Sequence, residues 1–348
     1  MTSHVRRRCA LRAVWVCVVA AAISTAAGCV GGHALQTRRA ESIGHIAWYT
    51  PQESRDVAVL ENWRASVGPP VFAEHRTSQV QPVDTLTLVS WNTALGAGDV
   101  ERLVADLRLA SPRGPIVLLL QEVYRAGDEV PVLLRSGAAV ASRLRGLRAD
   151  GRRDEIEVTA AALGMSAYYV PSMRNGSPVV SDEDRGNAIL STLPLSDLAA
   201  LELPFERQRR VAVGATLQGA SGDGTPWQLR VVSAHLDNIS GARRLWVASE
   251  FGRVRQTRGL IQQLEGDTPL VLGGDFNTWF GFSDRAFRET ARAFPGTRVT
   301  DRRATFRGLL RLDHLFYRVP DEWRVTWRRA EDAYGSDHHP LIATIDLP

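Results

Sequence analysis

The sequence predicts an α/β domain in which β-sheets stack on one another, and two observations support this prediction. Short apolar runs recur over residues 84–348, and at least seven of them have the composition of strands, whereas few segments have helical spacing. The run IVLLLQ at 116–121 is apolar almost without alternation, which is typical of a strand covered on both faces. Many covered strands and few helices favour stacked sheets over a single doubly wound sheet.

The individual elements follow from the spacing of the apolar residues. Apolar residues at intervals of three and four predict a helix over Val100–Leu109, which the segment Ser-Pro-Arg-Gly-Pro then ends. Further helices are expected over 54–66, 154–163 and 243–264. The predicted strands are 86–91, 116–121, 188–191, 211–217, 227–234, 270–273, 312–317 and 341–347.

The first 29 residues predict export. Three arginines at 6–8 precede an apolar run at 13–22, which is too short for a membrane span of about 20 residues. Small residues follow and end in Ala-Ala-Gly-Cys, which resembles a bacterial lipobox with Cys29 as the lipidated residue. A non-lipidated signal peptide is the alternative. We therefore expect a lipoprotein signal peptide at 1–28, a lipidated tether with a short pre-domain segment at 29–83, and the main domain at 84–348.

Cysteine content and charge exclude several classes of protein. The three cysteines are Cys9, Cys17 and Cys29, so the main domain has no disulfide framework, thiolate metal site or cysteine nucleophile. Residues 1–28 contain four arginines and no acidic residue, so their removal leaves 38 of the 42 basic residues against 38 acidic ones. The net charge of the processed chain is therefore zero, and overall charge does not point to nucleic-acid binding.

Polar residues recur where the predicted strands begin or end. In open α/β sheets, ligands gather outside the carboxyl ends of the strands. A carboxylate at such a position is costly unless it is paired or bound to a cation. The residues that share this position are Asn92, Glu122, His235, Asp275, Asn277, Asp313, Asp337 and His338.

This set of side chains suits metal-assisted phosphoryl transfer. Carboxylate and amide oxygens, as in Glu122 and Asn92, are ligands that suit Mg²⁺ or Mn²⁺. Imidazoles stabilise charge and move protons near neutral pH, and a carboxylate behind an imidazole orients it. The strongest single motif is Gly273–Asn277 (GGDFN), because its glycines allow a close approach of the backbone.

Seven segments, taken in order, resemble the endonuclease/exonuclease/phosphatase family. They are SWN (90–92), LQE (120–122), GNAILST (186–192), SAHLDN (233–238), GGDFNTW (273–279), RLDHLF (311–316) and SDHHP (336–340). The resemblance implies an α/β (α+β) fold, a four-layer sandwich of two packed mixed β-sheets flanked by helices. It also implies that 84–348 is a catalytic domain, a Mg²⁺-dependent phosphoric ester hydrolase of the phosphodiesterase or nuclease type.

The resemblance further implies a role for each residue. It assigns metal binding to Asn92, Glu122 and Asp337, and catalysis to His235, Asp275, Asn277, Asp313 and His338. In this scheme Asp275 and Asn277 position the attacking water or the phosphate, and Asp313 orients His338. The division of acid and base roles between the two histidines stays open.

Four further residues are candidates for substrate binding. Three of them, Arg174, Arg185 and Arg210, are candidates for contact with the substrate phosphate, and Asn187 is a candidate to hydrogen-bond near the site. The substrate class stays open between nucleic acid, a phospholipid headgroup and a soluble phosphoester, and we expect a monomeric, membrane-anchored protein of the bacterial cell envelope. The segment Trp279–Phe282 either contacts a bilayer or lines the pocket. The alternative function is a non-catalytic binding or adhesion lipoprotein that retains the fold.

Overall fold

The computed structural model describes residues 37–43, 45–75, 82–112, 114–132, 152–175, 182–238, 246–266 and 269–348. The predicted signal peptide and Cys29 lie outside these residues. Within them, the strands are β1 (Thr37–Ile43), β2 (Ile46–Pro51), β3 (Val71–Ala73), β4 (Thr85–Asn92), β5 (Ile116–Ala126), β6 (Ser166–Asn175), β7 (Glu183–Ser191), β8 (Ser196–Glu202), β9 (Val211–Ala220), β10 (Pro226–His235), β11 (Leu270–Asp275), β12 (Asp313–Arg318), β13 (Arg324–Arg329) and β14 (Leu341–Asp346). The helices are α1 (Ser54–Arg64), α2 (Val100–Ala110), α3 (Ile156–Leu163), α4 (Trp246–Gln263) and α5 (Arg285–Ala293), with a 3₁₀ turn at Gly281–Ser283.

The strands form two mixed seven-stranded sheets. Sheet A has the order β1-β2-β8-β9-β10-β11-β12, and sheet B has the order β13-β14-β4-β5-β7-β6-β3. β10 and β11 form a parallel pair in sheet A, as do β4 and β5 in sheet B. Sheet A has a second parallel pair, β2 with β8. The carboxyl ends of the β10–β11 and β4–β5 pairs meet at one edge of the sandwich, and this edge carries the polar residues predicted above.

Apolar side chains fill three layers, as the alternation along β4 illustrates. Leu86 and Leu88 point between the two sheets, whereas Val89 and Trp91 point towards the helices α2 and α3 that cover sheet B. A third cluster lies between sheet A and the helices α4 and α5. Full burial of one such side chain contributes about 1.5–3 kcal/mol. The predicted four-layer sandwich is therefore confirmed.

The two sheets include strands that precede residue 84, where the main domain is predicted to begin. β1 and β2 form the edge of sheet A, β2 pairs with β8, and β3 pairs with β6 in sheet B. The Trp48 side chain is buried in the layer between the sheets. β1 and β3 are edge strands, and the sequence did not predict them. Pairing with a neighbouring strand, rather than a pattern of apolar residues in their own sequence, holds them in the sheet.

The predicted strands and helices that fall in the described residues are present, and further elements are added to them. The strands β6, β8 and β13 and the helix α5 were not predicted. Among the described residues, no helix is both long enough and apolar enough to cross a membrane.

Candidate active site

A bulge in β5 turns Glu122 into the site. The pairing of β5 with β7 shifts between Gln121 and Val123, so Glu122 is the extra residue of the bulge. Its φ angle is 52°, a conformation that is uncommon for a residue with a side chain. Strain of this kind persists where the surrounding structure enforces it, and it is common at functional sites. The Glu122 carboxylate reaches the cavity because of the bulge, although the residues on either side of it, Gln121 and Val123, are buried.

The side chain and backbone of Asn92, at the end of β4, connect several parts of the site. Its Nδ2 donates to Asp275 Oδ2 (3.0 Å), and its Oδ1 accepts a hydrogen bond from the Ala94 N–H (3.0 Å). The Ser336 hydroxyl donates to the Asn92 carbonyl (2.7 Å) and accepts from the His338 N–H (3.0 Å). Asn92 therefore fixes Asp275 on one side and the segment carrying His338 on the other.

The motif at 273–277 places Asp275 and Asn277 at the end of β11. Asp275 Oδ1 accepts a hydrogen bond from the Asn277 N–H (2.9 Å), and Asn277 has a φ of 49°. Asn277 Nδ2 donates to the Leu236 carbonyl (2.9 Å). A Cβ atom at Gly274 would lie 1.9 Å from the Ala234 carbonyl oxygen, so glycine is required where β10 and β11 approach.

His338 and Asp313 form a buried pair. His338 Nδ1 lies 2.8 Å from Asp313 Oδ2, and both side chains are almost inaccessible to solvent. Burial lowers the pKa of His338, but the nearby carboxylates of Asp313, Asp275 and Asp337 outweigh it and raise that pKa to about 10. His338 is therefore positively charged at neutral pH, with its Nε2 at 3.9 Å from Asp275 Oδ2.

His235 contacts the same carboxylate from the other side, with its Nε2 at 3.4 Å from Asp275 Oδ2. Burial, together with the positive charges of Arg210 and Arg185, holds the pKa of His235 well below its usual range, so this imidazole is neutral. Burial and the Asp313 carboxylate raise the pKa of Asp275 to about 7, against the opposing effect of His338. The two histidines therefore carry different charges at the same carboxylate.

Two groups of residues in the site are candidates to hold a divalent cation. Asp275, Asp313 and His338 offer ligand atoms within 4.8 Å of one another. However, Nδ1 of His338 is hydrogen-bonded to Asp313. A protonated imidazole also has no free lone pair to offer to a metal. Glu122 and Asn92 fit a hard cation better. Asn92 Oδ1 has a second lone pair, and the Glu122 carboxylate makes only a long ion pair (3.8 Å) with Arg185 among the described residues.

These residues surround one cavity of about 100 Å³. Its lining residues are Asn92, Ala94, Leu95, Glu122, His235, Asn238, Asp275, Asn277, Trp279, Phe306, Leu312, Asp337 and His338. Seven of the eight residues predicted from strand ends are in this lining. The eighth, Asp313, lies behind His338, as its predicted orienting role requires. Asp337 is half-buried and pairs with Arg307, Oδ2 to Nη2, at 3.1 Å.

The four candidate substrate-binding residues differ in their contacts and in their positions relative to the cavity. Arg185 is buried beside Glu122, and Arg210 is buried with its Nη2 at 4.0 Å from Asp237 Oδ1. Asn187 Nδ2 donates to the Val211 carbonyl (2.7 Å) and so ties β7 to β9. The structure does not bring Arg174 to the cavity. Its guanidinium donates to backbone carbonyls of Ser66, Pro131 and Val132 instead.

Three site residues were missed by sequence reasoning. Phe306 packs against the His338 ring with centroids 4.8 Å apart, Asn238 lines the cavity, and Ser336 connects Asn92 to His338. Ser336 and Asn238 stand inside segments already singled out, so their polarity was the available signal. Phe306 had no such signal, because it is an apolar residue in a loop outside the seven segments. Trp279 lines the pocket, which is one of the two alternatives for Trp279–Phe282.

A buried carboxylate–imidazole pair beside an oxygen-rich cavity, at an edge shared by two stacked sheets, is the arrangement of a metal-dependent phosphoester hydrolase. A sequence model described as the Endonuclease/Exonuclease/phosphatase family matches residues 89–338, and the chain belongs to this family. Its members are divalent-metal-dependent phosphoesterases and nucleases, which supports the general reaction.

Solved structures support the fold. The endonuclease/exonuclease/phosphatase from Beutenbergia cavernae DSM 12333 superposes with a TM-score of 0.52 at 16% identity, over 76% of this chain and 72% of that chain. A family protein from Leptotrichia buccalis C-1013-b gives 0.50 at 14% identity, over 75% of this chain and all of that chain.

The curated relatives match over a shorter stretch. A UPF0294 protein of Vibrio vulnificus (strain YJ016) is 32% identical over 124 residues, and one of Vibrio parahaemolyticus is 28% identical over 122 residues. Each match covers 34% of this chain and 40% of the relative's length.

Proposed function

We propose that the protein hydrolyses phosphodiester bonds, using Mg²⁺ and a water nucleophile, as a lipid-anchored monomer at the cell envelope. One observation carries the proposal. His235 Nε2 and His338 Nε2 approach the same oxygen, Asp275 Oδ2, at 3.4 and 3.9 Å. A phosphoryl group in the adjoining cavity would meet two imidazoles and a carboxylate, which are the groups that proton transfer and charge stabilisation require.

Glu122 and the amide oxygen of Asn92 would hold the ion, with Asp337 at the other side of the cavity. The bound ion supplies neutralisation of the charge that develops on the phosphoryl oxygens. The fit rests on the donor set, since all three side chains offer oxygen atoms and line the same cavity.

Three side chains carry out proton transfer and charge stabilisation in this proposal. Asp275, fixed by Asn92 and by the Asn277 N–H, accepts a proton from the attacking water as the new P–O bond forms. His338, held as a cation by Asp313, stabilises the phosphorane and gives a proton to the leaving oxygen as its P–O bond breaks. His235 stays neutral and donates a hydrogen bond to the phosphate. The products are a phosphomonoester and an alcohol.

The test measures hydrolysis of bis(p-nitrophenyl) phosphate, plasmid DNA, RNA and phospholipid vesicles with Mg²⁺, with Mn²⁺ and with EDTA. Because a metal ligand provides several kcal/mol of transition-state stabilisation, Glu122→Gln should lower kcat/KM at least about 100-fold. Glu265→Gln, an exposed position far from the cavity, is the matched control. If no phosphoester is cleaved and no Mg²⁺ binds at millimolar concentration, a binding or adhesion lipoprotein is the better reading.

The envelope location rests on the lipobox-like segment that ends in Cys29. Cys29→Ser removes the thiol that would take the lipid, so the variant should leave the membrane fraction and lose the label from a radioactive fatty acid. Cys17→Ser, in the apolar run of the same leader, should leave both properties unchanged. A Cys29→Ser protein that stays labelled and membrane-bound contradicts lipidation at this residue.

A further inference from the structure

The first strand of the fold begins at the same edge of sheet A as the active site. β2 runs parallel to β8, β8 antiparallel to β9, and β9 antiparallel to β10. β2 therefore runs in the direction of β10, and both strands end at the edge that carries His235. Because β1 is antiparallel to β2, with Thr37 opposite Pro51, the start of β1 lies at this edge too.

The segment that joins the predicted lipidated residue to β1 is short. Seven residues lie between Cys29 and Thr37, so the eight Cα–Cα steps can span at most about 28 Å when extended. Four strand spacings along the sheet separate β1 from β10, which is about 19 Å. A lipid on Cys29 would therefore lie within about 28 Å of the start of β1, which leaves the active-site edge within reach of the bilayer.

The rim of the cavity exposes apolar side chains at this edge. Phe306 lines the cavity, and a tight turn follows it in which the Leu309 N–H donates to the Phe306 carbonyl (2.9 Å). Leu309, at this turn, is 82% exposed, and Phe280, next to the cavity-lining Trp279, is 49% exposed. Exposed leucine and phenylalanine side chains are suited to enter the boundary between headgroups and acyl chains.

A positive charge accompanies the exposed leucine. The Arg307 guanidinium lies over the Phe306 ring at 5.0 Å and pairs with Asp337 at 3.1 Å, Nη2 to Oδ2. Its side chain is exposed, and a guanidinium has five N–H donors, so it can also bind a lipid phosphate. The Arg307 N–H donates to the Asp337 carbonyl, which ties the turn to the segment that carries His338.

We infer that the active-site edge docks on the membrane through the turn Thr305–Leu310 and Phe280, and that the substrate is the phosphodiester of a phospholipid headgroup. This inference rests on the proposed function and on lipidation of Cys29. Water adds to the lipid phosphorus and one P–O ester bond breaks, so a phosphodiester becomes a phosphomonoester and an alcohol. The turn brings the bilayer surface to the cavity, because Phe306 contacts His338 on one side and Leu309 on the other.

A matched control for Leu309 exists on the opposite side of the molecule. Leu109 is the same residue type and is also 82% exposed. It lies in the last turn of α2, which leads from the carboxyl end of β4 back to the start of β5. Leu109 is therefore at the edge far from the active site, where docking would leave it in water.

The experiment uses the full-length lipidated protein in vesicles of phosphatidylethanolamine and phosphatidylglycerol. Leu309→Cys and Leu109→Cys are each labelled with an environment-sensitive dye, since Cys29 is the only other cysteine of the processed chain and acylation blocks it. We expect a blue-shifted emission and protection from iodide quenching at 309 and neither effect at 109. Equal iodide quenching at the two positions overturns docking through this turn.

The second measurement is the ratio of lipid hydrolysis, followed by ³¹P NMR, to hydrolysis of bis(p-nitrophenyl) phosphate. Loss of one inserted leucine should lower this ratio about tenfold in Leu309→Asp and leave it unchanged in Leu109→Asp. A protein that cleaves the aryl diester but no lipid overturns the inference and leaves the proposed function standing. Absence of hydrolysis with both substrates overturns the proposed function as well.

Discussion

Asn92 Nδ2 donates a hydrogen bond to Asp275 Oδ2 over 3.0 Å, and this contact joins the last residue of β4 in sheet B to the last residue of β11 in sheet A. Both side chains are buried. The amide that would offer an oxygen to the proposed cation therefore also sets the position of the proposed base. In the proposed mechanism, metal binding and water activation would be coupled through this one side chain.

Asn92→Ala should impair catalysis and stability together. It removes the proposed metal ligand and the N–H donor to Asp275 Oδ2, so kcat/KM should fall at least about 100-fold. The lost buried hydrogen bond should lower the free energy of unfolding by about 1–3 kcal/mol. Steady-state kinetics and urea denaturation measure the two effects. Asn62→Ala, at an exposed position of α1, should change neither, and a fully active Asn92→Ala protein would contradict the role of this amide.

Asp313→Asn should lower kcat and leave KM nearly unchanged. Asp313 contacts His338 but does not line the cavity, so the variant weakens the charge and orientation of His338 without touching the substrate. The loss of an oriented acid predicts a fall in kcat of about 10²–10⁴. A fall confined to KM would show that Asp313 acts on binding instead.

Gly274→Ala should destabilise the fold. The new Cβ would lie 1.9 Å from the Ala234 carbonyl oxygen, so β10 and β11 would have to separate. Overpacking of this kind costs about 1–3 kcal/mol, or more when backbone must move, and thermal denaturation measures it. At Gly296 a Cβ meets nothing within 4 Å, so Gly296→Ala should stay within about 0.5 kcal/mol of the native protein. Equal melting temperatures for the two variants would rule out the strain.

Acid should destabilise the protein partly through His314. Its ring lies among Phe276, Phe282 and Phe287, and burial holds its pKa well below the usual value of 6.5. Below about pH 6.5 the unfolded chain therefore binds a proton at this residue that the folded chain does not. The contribution of His314 to the free energy of unfolding is fully present above about pH 6.5 and falls as the pH drops below that value.

His314→Phe should remove this contribution. The slope of unfolding free energy against pH, between about pH 6 and 4.5, should be shallower by up to about 1.4 kcal/mol per pH unit. His339→Phe, at a partly exposed histidine, should have a smaller effect on the slope. Identical slopes for native protein and His314→Phe would mean that His314 is protonated in the folded state.

Much of the site followed from the sequence because its residues stand next to buried apolar strands. β4 and β5 were recognisable from composition. Asn92 is the last residue of β4, and Glu122 follows the predicted strand 116–121, although β5 continues to Ala126. The bulge that directs the Glu122 side chain into the cavity could not be predicted from composition, because it depends on how β5 pairs with β7. Arg174 shows the opposite error, since its carbonyl partners, Ser66 and Pro131 among them, come from distant segments. Long-range partners of a single side chain leave no pattern in the sequence.

Because Glu122 is the extra residue of a bulge, it could be removed without breaking the pairing of β5 with β7. Gln121 faces Asn187 and Val123 faces Gly186, so removing Glu122 alone would leave a continuous ladder between the two strands. Deletion of Glu122 would then remove the proposed acidic ligand and the strained backbone conformation at the same time. A variant that lacks Glu122 alone should therefore be folded and, in the proposed mechanism, inert.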